Sequence, residues 1–439
     1  MLVKNNINAF SDDFFPMIRI IKYCSLGMFF LEFLIPFIAK AELSISGLEM
    51  GLLFSLRLIG VIFSSFIVGF LSDHFSKKKL IALGAFGRGV SYILMYIAIL
   101  LGNFYLMAFS TAFLGFMASF FWIPFDYLIS EKSSVENRSK AFGLRNMENG
   151  KGVMIGSTIA FTIFIFSAES SLGPIFMYAP LLIFALSNIL GGYLFITTIN
   201  EQLSIGSQTE TNKTSDSIQK TVSKVLFIGI LLFFITQFLS AINGSLAKPF
   251  LIVYIVDQLA SDPFIVSILF IPVGLLTFML SPKLGEIADK ANIYLGLSFG
   301  SILGAITTYF LIITDNLIVF SILLIMDSVI ATTTGLILMN LLSRLSKKHR
   351  GKLFGSSSFF GNLGGIVGPI LGGLVIDSYD IRMPFKISIG VELLLIPFFI
   401  IAIAILRPYF SEKIIKKTSN VEKPENTLLN DDKKANLIN

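Results

Sequence analysis

Twelve long apolar runs, separated by short polar connectors, fill the chain from residue 18 to residue 407. They cover 18–39, 48–71, 80–101, 104–129, 141–167, 172–198, 224–255, 264–283, 293–313, 317–342, 353–376 and 384–407. A helix that crosses a bilayer takes about 20 such residues. Lipid offers no partner for backbone N–H and C=O groups, so each run must satisfy its own backbone and is expected to be a helix. A membrane β-barrel would alternate polar and apolar residues, and these runs do not. Composition agrees. Of 439 residues, 54% are hydrophobic and only 14% are charged, too few to coat a soluble fold of this size. The expected fold is an all-α membrane protein with twelve transmembrane helices. The seventh run is long for one crossing and contains Asn243-Gly244 and Lys248-Pro249. A kink or break is predicted there, because proline removes a helix hydrogen bond.

The connectors set the orientation. Those after the second, fourth, eighth and tenth runs, with the run ends beside them, hold thirteen Lys and Arg residues, and the opposite connectors with their run ends hold only Lys40, Arg382 and Lys386. Positive residues stay on the cytoplasmic side, so both termini are expected there. The net charge of +6 therefore reads as membrane orientation, with no nucleic-acid partner implied. Residues 1–17 form a polar cytoplasmic segment carrying Asp12 and Asp13. No small-residue cleavage site follows them, so the first span is expected to be retained. Six spans over 18–198 and six over 224–410 flank a Ser-, Thr-, Asn- and Gln-rich cytoplasmic loop, 199–223. The tail, 411–439, is polar and mixed in charge, and disorder is expected.

Enzyme chemistry has little to build from. The single cysteine, Cys24, allows no internal disulfide, and the two histidines, His74 and His349, lie in separate basic connectors. No metal cluster is expected. No phosphate-binding loop, His-Glu-x-x-His or Gly-x-Ser-x-Gly occurs. The expectation is a protein that is not an enzyme, with no cofactor and no metal.

The halves repeat weakly. With a shift of 212, Arg138, Lys140, Phe142, Gly143, Gly152 and Gly156 fall on identical residues at 350, 352, 354, 355, 364 and 368. With a shift of 216, Gly69-Phe70-Leu71-Ser72-Asp73 falls on Gly285-Glu286-Ile287-Ala288-Asp289. Internal repetition between membrane halves marks secondary transporters. The stretch from Gly69 through Asp73 to Lys77, Lys78 and Lys79 resembles the loop signature of the major facilitator superfamily, Gly-x-Leu-Ala/Ser-Asp-Arg-x-Gly-Arg-Lys/Arg. Ser76 replaces its second glycine and Lys77 an arginine. The resemblance runs from the first span to Arg407. It implies two pseudo-symmetric six-helix bundles that rock about a site near the midplane.

Within that resemblance, Asp73 is expected to close a cytoplasmic latch. Its carboxylate would accept bonds from the start of the eleventh helix, near Lys352–Ser356, and Gly69 would let that helix approach. Gly69, Asp73, Lys77, Asp126, Arg138, Gly285, Asp289 and Arg350 make up the expected cytoplasmic gate. For the lysines the plainer reading is orientation alone. The family's antiporter-associated Gly-x-x-x-Gly-Pro-x-x-Gly-Gly string stands in the eleventh span here, at Gly364, Gly368, Pro369, Gly372 and Gly373, whereas the fifth span keeps only Gly152 and Gly156. Helix packing is the expected role of all of them.

Ionisable residues inside spans are costly and become functional candidates. The resemblance implies that spans one, four, seven and ten line the cavity, and these carry Glu32, Asp126, Lys248 and Asp327. Glu32 lies about 20 Å along its helix from Arg19, and Asp327 about 25 Å from Arg344, so both are central. Asp126 lies near the cytoplasmic mouth and joins Glu131 and Arg138 in a gate network. Lys248 falls in the outer half. A carboxylate held away from water can exchange a proton near neutral pH. Glu32 has a rival role as the ion-pair partner of Arg57, which is similarly deep. Asp327 shows no basic partner of matching depth and is the sharper candidate. Glu148 and Lys151 should neutralise one another. Arg88 and Glu392 lie on helices expected at the periphery. Trp122 could stack on a substrate or simply pack. The 45 phenylalanines are dispersed along the chain.

The expected function is alternating-access transport of a small organic solute, driven by protons, in a monomer in the plasma (inner) membrane. Glu32, Arg57, Asp327, Lys248 and Trp122 would form the substrate and proton pathway. Multidrug efflux is the transport alternative. A receptor-like or enzymatic membrane protein on the same fold is the alternative from another class.

Overall fold

The computed structural model describes residues 10–407 apart from 42, 135–137, 170–172, 202–223, 346–349 and many positions between 261 and 289. The described chain is helical, with a lone antiparallel bridge between Phe10 and Ser133. Its helices are α1 (Phe14–Cys24), α2 (Met28–Ala41), α3 (Gly47–His74), α4 (Lys77–Leu100), α5 (Phe104–Glu131), α6 (Arg138–Glu169), α7 (Gly173–Met177) and α8 (Pro180–Thr198) in the first half. The second half has α9 (Lys224–Leu246), a 3-10 turn (Lys248–Phe250), α10 (Leu251–Gln258), α11 (Ile293–Ile313), α12 (Leu317–Leu345), α13 (Arg350–Ser378) and α14 (Met383–Leu406). Ten of the described helical segments are long and apolar enough to cross a membrane. The first run forms α1 and α2 in series, and much of the eighth lies outside the described residues.

Local chemistry fixes several boundaries. Ser46 caps α3: its hydroxyl accepts the Glu49 N–H, while the Glu49 carboxylate accepts the Ser46 N–H at 2.8 Å, a reciprocal capping box. Asn103 caps α5 by accepting the Leu106 N–H at 3.0 Å. The break in the seventh run falls on Lys248 and Pro249, where the proline occupies the first turn of a new segment. The interruption of the first run, at Ser25–Gly27, was not expected. A methyl group on Gly27 would sit 2.8 Å from both Tyr92 Oη and the Phe184 ring, so tertiary packing sets it.

Two bundles result. In the first, α3 and α4 pack on α5, α4 on α8, and α1 on α6 and α8; in the second, α9 packs on α13 and α14, and α11 on α12 and α14. The bundles meet where α3 packs on α13 and α2 on α10. The phenylalanines are not dispersed in space. Phe30, Phe33 and Phe37 of α2 interlock edge to face with Phe161 and Phe164 of α6 and with Phe184 of α8, centroids 5.0–6.1 Å apart. That spacing favours aromatic pairs beyond their buried area.

The N-terminal segment is pinned to the first bundle. The fully buried ammonium of Lys132 donates to both Asp13 carboxylate oxygens, at 3.0 and 2.8 Å, and to the Asn200 carbonyl at 2.7 Å. Asp13 also accepts the Ser11 hydroxyl and the Asn200 N–H. Lys132, counted in sequence as an orientation signal, is thus a structural cation.

Candidate functional site

Charged side chains converge where the bundles face one another. Glu32, on α2 within the phenylalanine cluster, accepts from Arg57 Nη2 of α3 at 2.7 Å. The side chains keep 34% and 28% exposure, so the pair is not sealed within the packed core. Lys248, at the break after α9, is exposed. Its charge acts on Glu32 across the bundle interface and on Asp327 of α12 within its own bundle. Asp327 is half-buried and therefore has a cation within electrostatic reach, contrary to the sequence reading. Rise per residue carries no information on the direction in which Lys248 faces.

The charge of Asp327 also acts on Glu392 of α14. Glu392 faces α11 at Gly304, where a methyl group would sit 2.7 Å from its Oε2. That oxygen is buried and has no hydrogen-bond partner among the described residues. Glu392 thus points between helices of its own bundle and is not peripheral. Arg88 is likewise interior: it is buried, donates to the Cys24 carbonyl at 2.7 Å and lies over the Phe121 ring.

The expected gate network differs in its partners. Asp126 pairs with Arg145 of α6 at 3.2 Å, and Arg145 also lies 4.5 Å over the Trp122 ring. That face of Trp122 is therefore occupied by protein. Glu131 lies 3.6 Å from Lys77, whose N–H donates to Glu201 at 2.7 Å and whose ammonium lies over Tyr127. Lys77 is thus engaged inside its own bundle. The side chains of Asp73, Arg138 and Arg350, and Asp289 altogether, lie outside the described residues. Among described atoms, nothing comes within 4 Å of a methyl group placed on Gly69 or Gly285, so no helix approach is seen at either glycine. Arg145 lies inside the fifth run, 141–167, and the sequence reading did not single it out beside Glu148 and Lys151.

The packing glycines do meet backbone. Side chains at Gly152 and Gly156 would run into Lys22 and Leu26 of the first span. Those at Gly364, Gly368 and Gly372 would run into the backbone of α9, while Pro369 lies within α13. A cavity of about 390 Å³ opens beside the α1–α6 seam, lined by Arg19, Lys22, Glu148, Lys151, Met154 and Ile155, with Lys151 and Glu148 paired at 2.7 Å. No group of three or more His, Cys, Asp or Glu side chains among the described residues could hold a metal.

The arrangement is a row of alternating sign, Arg57, Glu32, Lys248 and Asp327, divided between two bodies. Removing one member of the Glu32–Arg57 pair should destabilise the fold by about 1.5–3 kcal/mol, the scale of a hydrogen bond to a charged group. Glu32→Gln and Arg57→Gln should each lower the thermal midpoint of the purified protein. The double variant should recover part of the loss, because no uncompensated charge remains. Simple additivity would refute energetic coupling.

The family model described as Major Facilitator Superfamily matches residues 23–238 and 233–431. Multidrug resistance protein 2 of Bacillus subtilis (strain 168) is 26% identical over 388 residues, covering 87% of this chain and 93% of its own. Among solved structures, a bacterial homologue of the human lysosomal transporter Spinster, inward-facing and unoccupied, superposes with a TM-score of 0.73 at 11% identity, covering 90% of this chain and 97% of its own. A D-xylose–proton symporter gives 0.71 at 12% identity, covering 88% and 96%.

Proposed function

The chain belongs to the Major Facilitator Superfamily, and from that premise we propose that this membrane transporter is proton-coupled and moves a small polar organic solute by alternating access. The observation that carries the reading is the alternating row Arg57, Glu32, Lys248 and Asp327 between the bundles. A solute bearing both an ammonium and a carboxylate would exchange partners with that row. Asp327 is the proton carrier, since Glu32 is held by Arg57. The lysine-rich ends of the helices and both termini face the cytoplasm, the membrane is the plasma membrane, and the protein works as a monomer.

The test is purified protein in proteoliposomes with an internal pH dye, challenged with zwitterionic, sugar-like and lipophilic cationic solutes. A zwitterion or sugar that moves protons with it supports the proposal. A second reading, drug efflux, is favoured by the relative named a multidrug resistance protein. Proton exchange with lipophilic cations alone would establish that reading and overturn the first.

A further inference from the structure

Helix α3 begins against the end of α13. The first N–H groups of a helix have no partner inside it and carry the positive end of its dipole. Here the Asp377 carboxylate, from the other bundle, accepts the Gly47 N–H at 2.7 Å and the Leu48 N–H at 2.9 Å. Ser46 takes the next donor, Glu49 N–H. The cap of α3 is therefore shared between bundles: one donor is satisfied locally and two by the opposite half of the protein.

Below this contact the two helices touch along their backbones. A methyl group on Gly47 would sit 2.8 Å from the Gly373 carbonyl oxygen, and one on Gly51 would run into the Pro369 carbonyl. One turn further, the Ser55 hydroxyl donates to the Ile366 carbonyl at 2.7 Å. Gly47, Gly51 and Ser55 are spaced four apart and form one stripe facing α13. Asp377 is the charged residue at the head of that seam.

We infer that Asp377 is a positioning residue of the transport cycle: its carboxylate binds the start of α3 and holds this end of the central space shut. The inference rests on the alternating-access reading and on the sidedness proposed above, which make this the outer end. Opening outward must break both Asp377 bonds, whereas the Ser46 cap stays whole because it moves with its own bundle.

The test uses Ser55→Cys, buried in the seam, in a Cys24→Ser background that removes the single native cysteine. A membrane-impermeant maleimide is applied from outside to right-side-out vesicles. Asp377→Ala should raise the labelling rate about two- to fivefold, the scale of an exposed charge at a helix terminus. Asp377→Glu should return it toward the parent rate. Ser46→Ala, which weakens the same helix start without crossing the interface, should leave labelling unchanged. Parent-rate labelling of Asp377→Ala at a parent-like thermal midpoint would overturn the inference. So would a rise in Ser46→Ala equal to that in Asp377→Ala. If Asp377→Ala loses its midpoint, Asp377→Asn takes its place under the same criteria. Flux in the parent protein is measured alongside: absent flux with every solute counts against the transport reading, and unchanged labelling beside normal flux counts against the latch alone.

Discussion

Asp327→Asn is expected to abolish pH-driven accumulation while exchange of solute across the membrane survives. Asparagine keeps nearly the same shape but cannot release a proton. A one-unit pH gradient can sustain about tenfold accumulation for one coupled proton, since 1.4 kcal/mol is a factor of ten. In the variant this should fall to equality between the two sides. Uptake into proteoliposomes with and without the gradient, beside counterflow in the same vesicles, separates the outcomes. Accumulation at the wild-type level would remove Asp327 as the proton carrier. Loss of both activities from folded protein would place it in solute binding. Glu392 of α14, within electrostatic reach of Asp327, supplies an internal control. If the proton resides on the pair, Glu392→Gln should shift the pH at which coupling operates without abolishing it.

The second large effect is on stability. Asp13→Asn leaves the fully buried Lys132 ammonium without its carboxylate. Removing one partner of a buried pair costs about 3–5 kcal/mol. The thermal midpoint should fall accordingly, and Asp13→Asn with Lys132→Met should recover part of it. Acid tests the same contact. Burial by itself pushes the Asp13 carboxyl up, but the bonds from Lys132, Ser11 and the Asn200 N–H outweigh it and hold the group below its ordinary value of 3.8. A depressed carboxyl stabilises the fold above its unfolded value, and that contribution is lost as pH falls through the folded one. The wild-type protein should therefore lose stability below about pH 4, and Asp13→Asn should lack that component of the acid dependence. An identical acid profile in the variant would show that the pair contributes nothing.

The spans were legible because continuous apolar runs leave a lipid-embedded chain no choice but helix, and the break at Lys248-Pro249 because proline acts locally. The interruption before Met28 was not, since Tyr92 and Phe184 press on Gly27 from helices distant in sequence. Most charges within the runs were equally legible. Their partners needed the azimuth of each helix, which hydropathy does not encode. Lys248 was therefore not matched to Asp327, nor Arg145 to Asp126, and Glu392 was read as peripheral. Asp377 lies just outside an apolar run, where a carboxylate costs little and attracts no notice. Only the juxtaposition with the start of α3 gives it a partner.

The interlocked phenylalanines have a consequence for how motion in this protein can be read. Glu32 rides on α2 with Phe30, Phe33 and Phe37, so it cannot shift against α6 and α8 without opening voids among the rings, and voids in a packed core are costly. Its carboxylate is in effect a fixed mark on a rigid plate. The gap between that mark and Lys248 then becomes a ruler for the whole cycle, readable from outside the charge cluster. Spin labels at Tyr193 on α8 and Leu394 on α14, exposed at 60% and 54%, should register the same displacement with no probe placed where the solute travels.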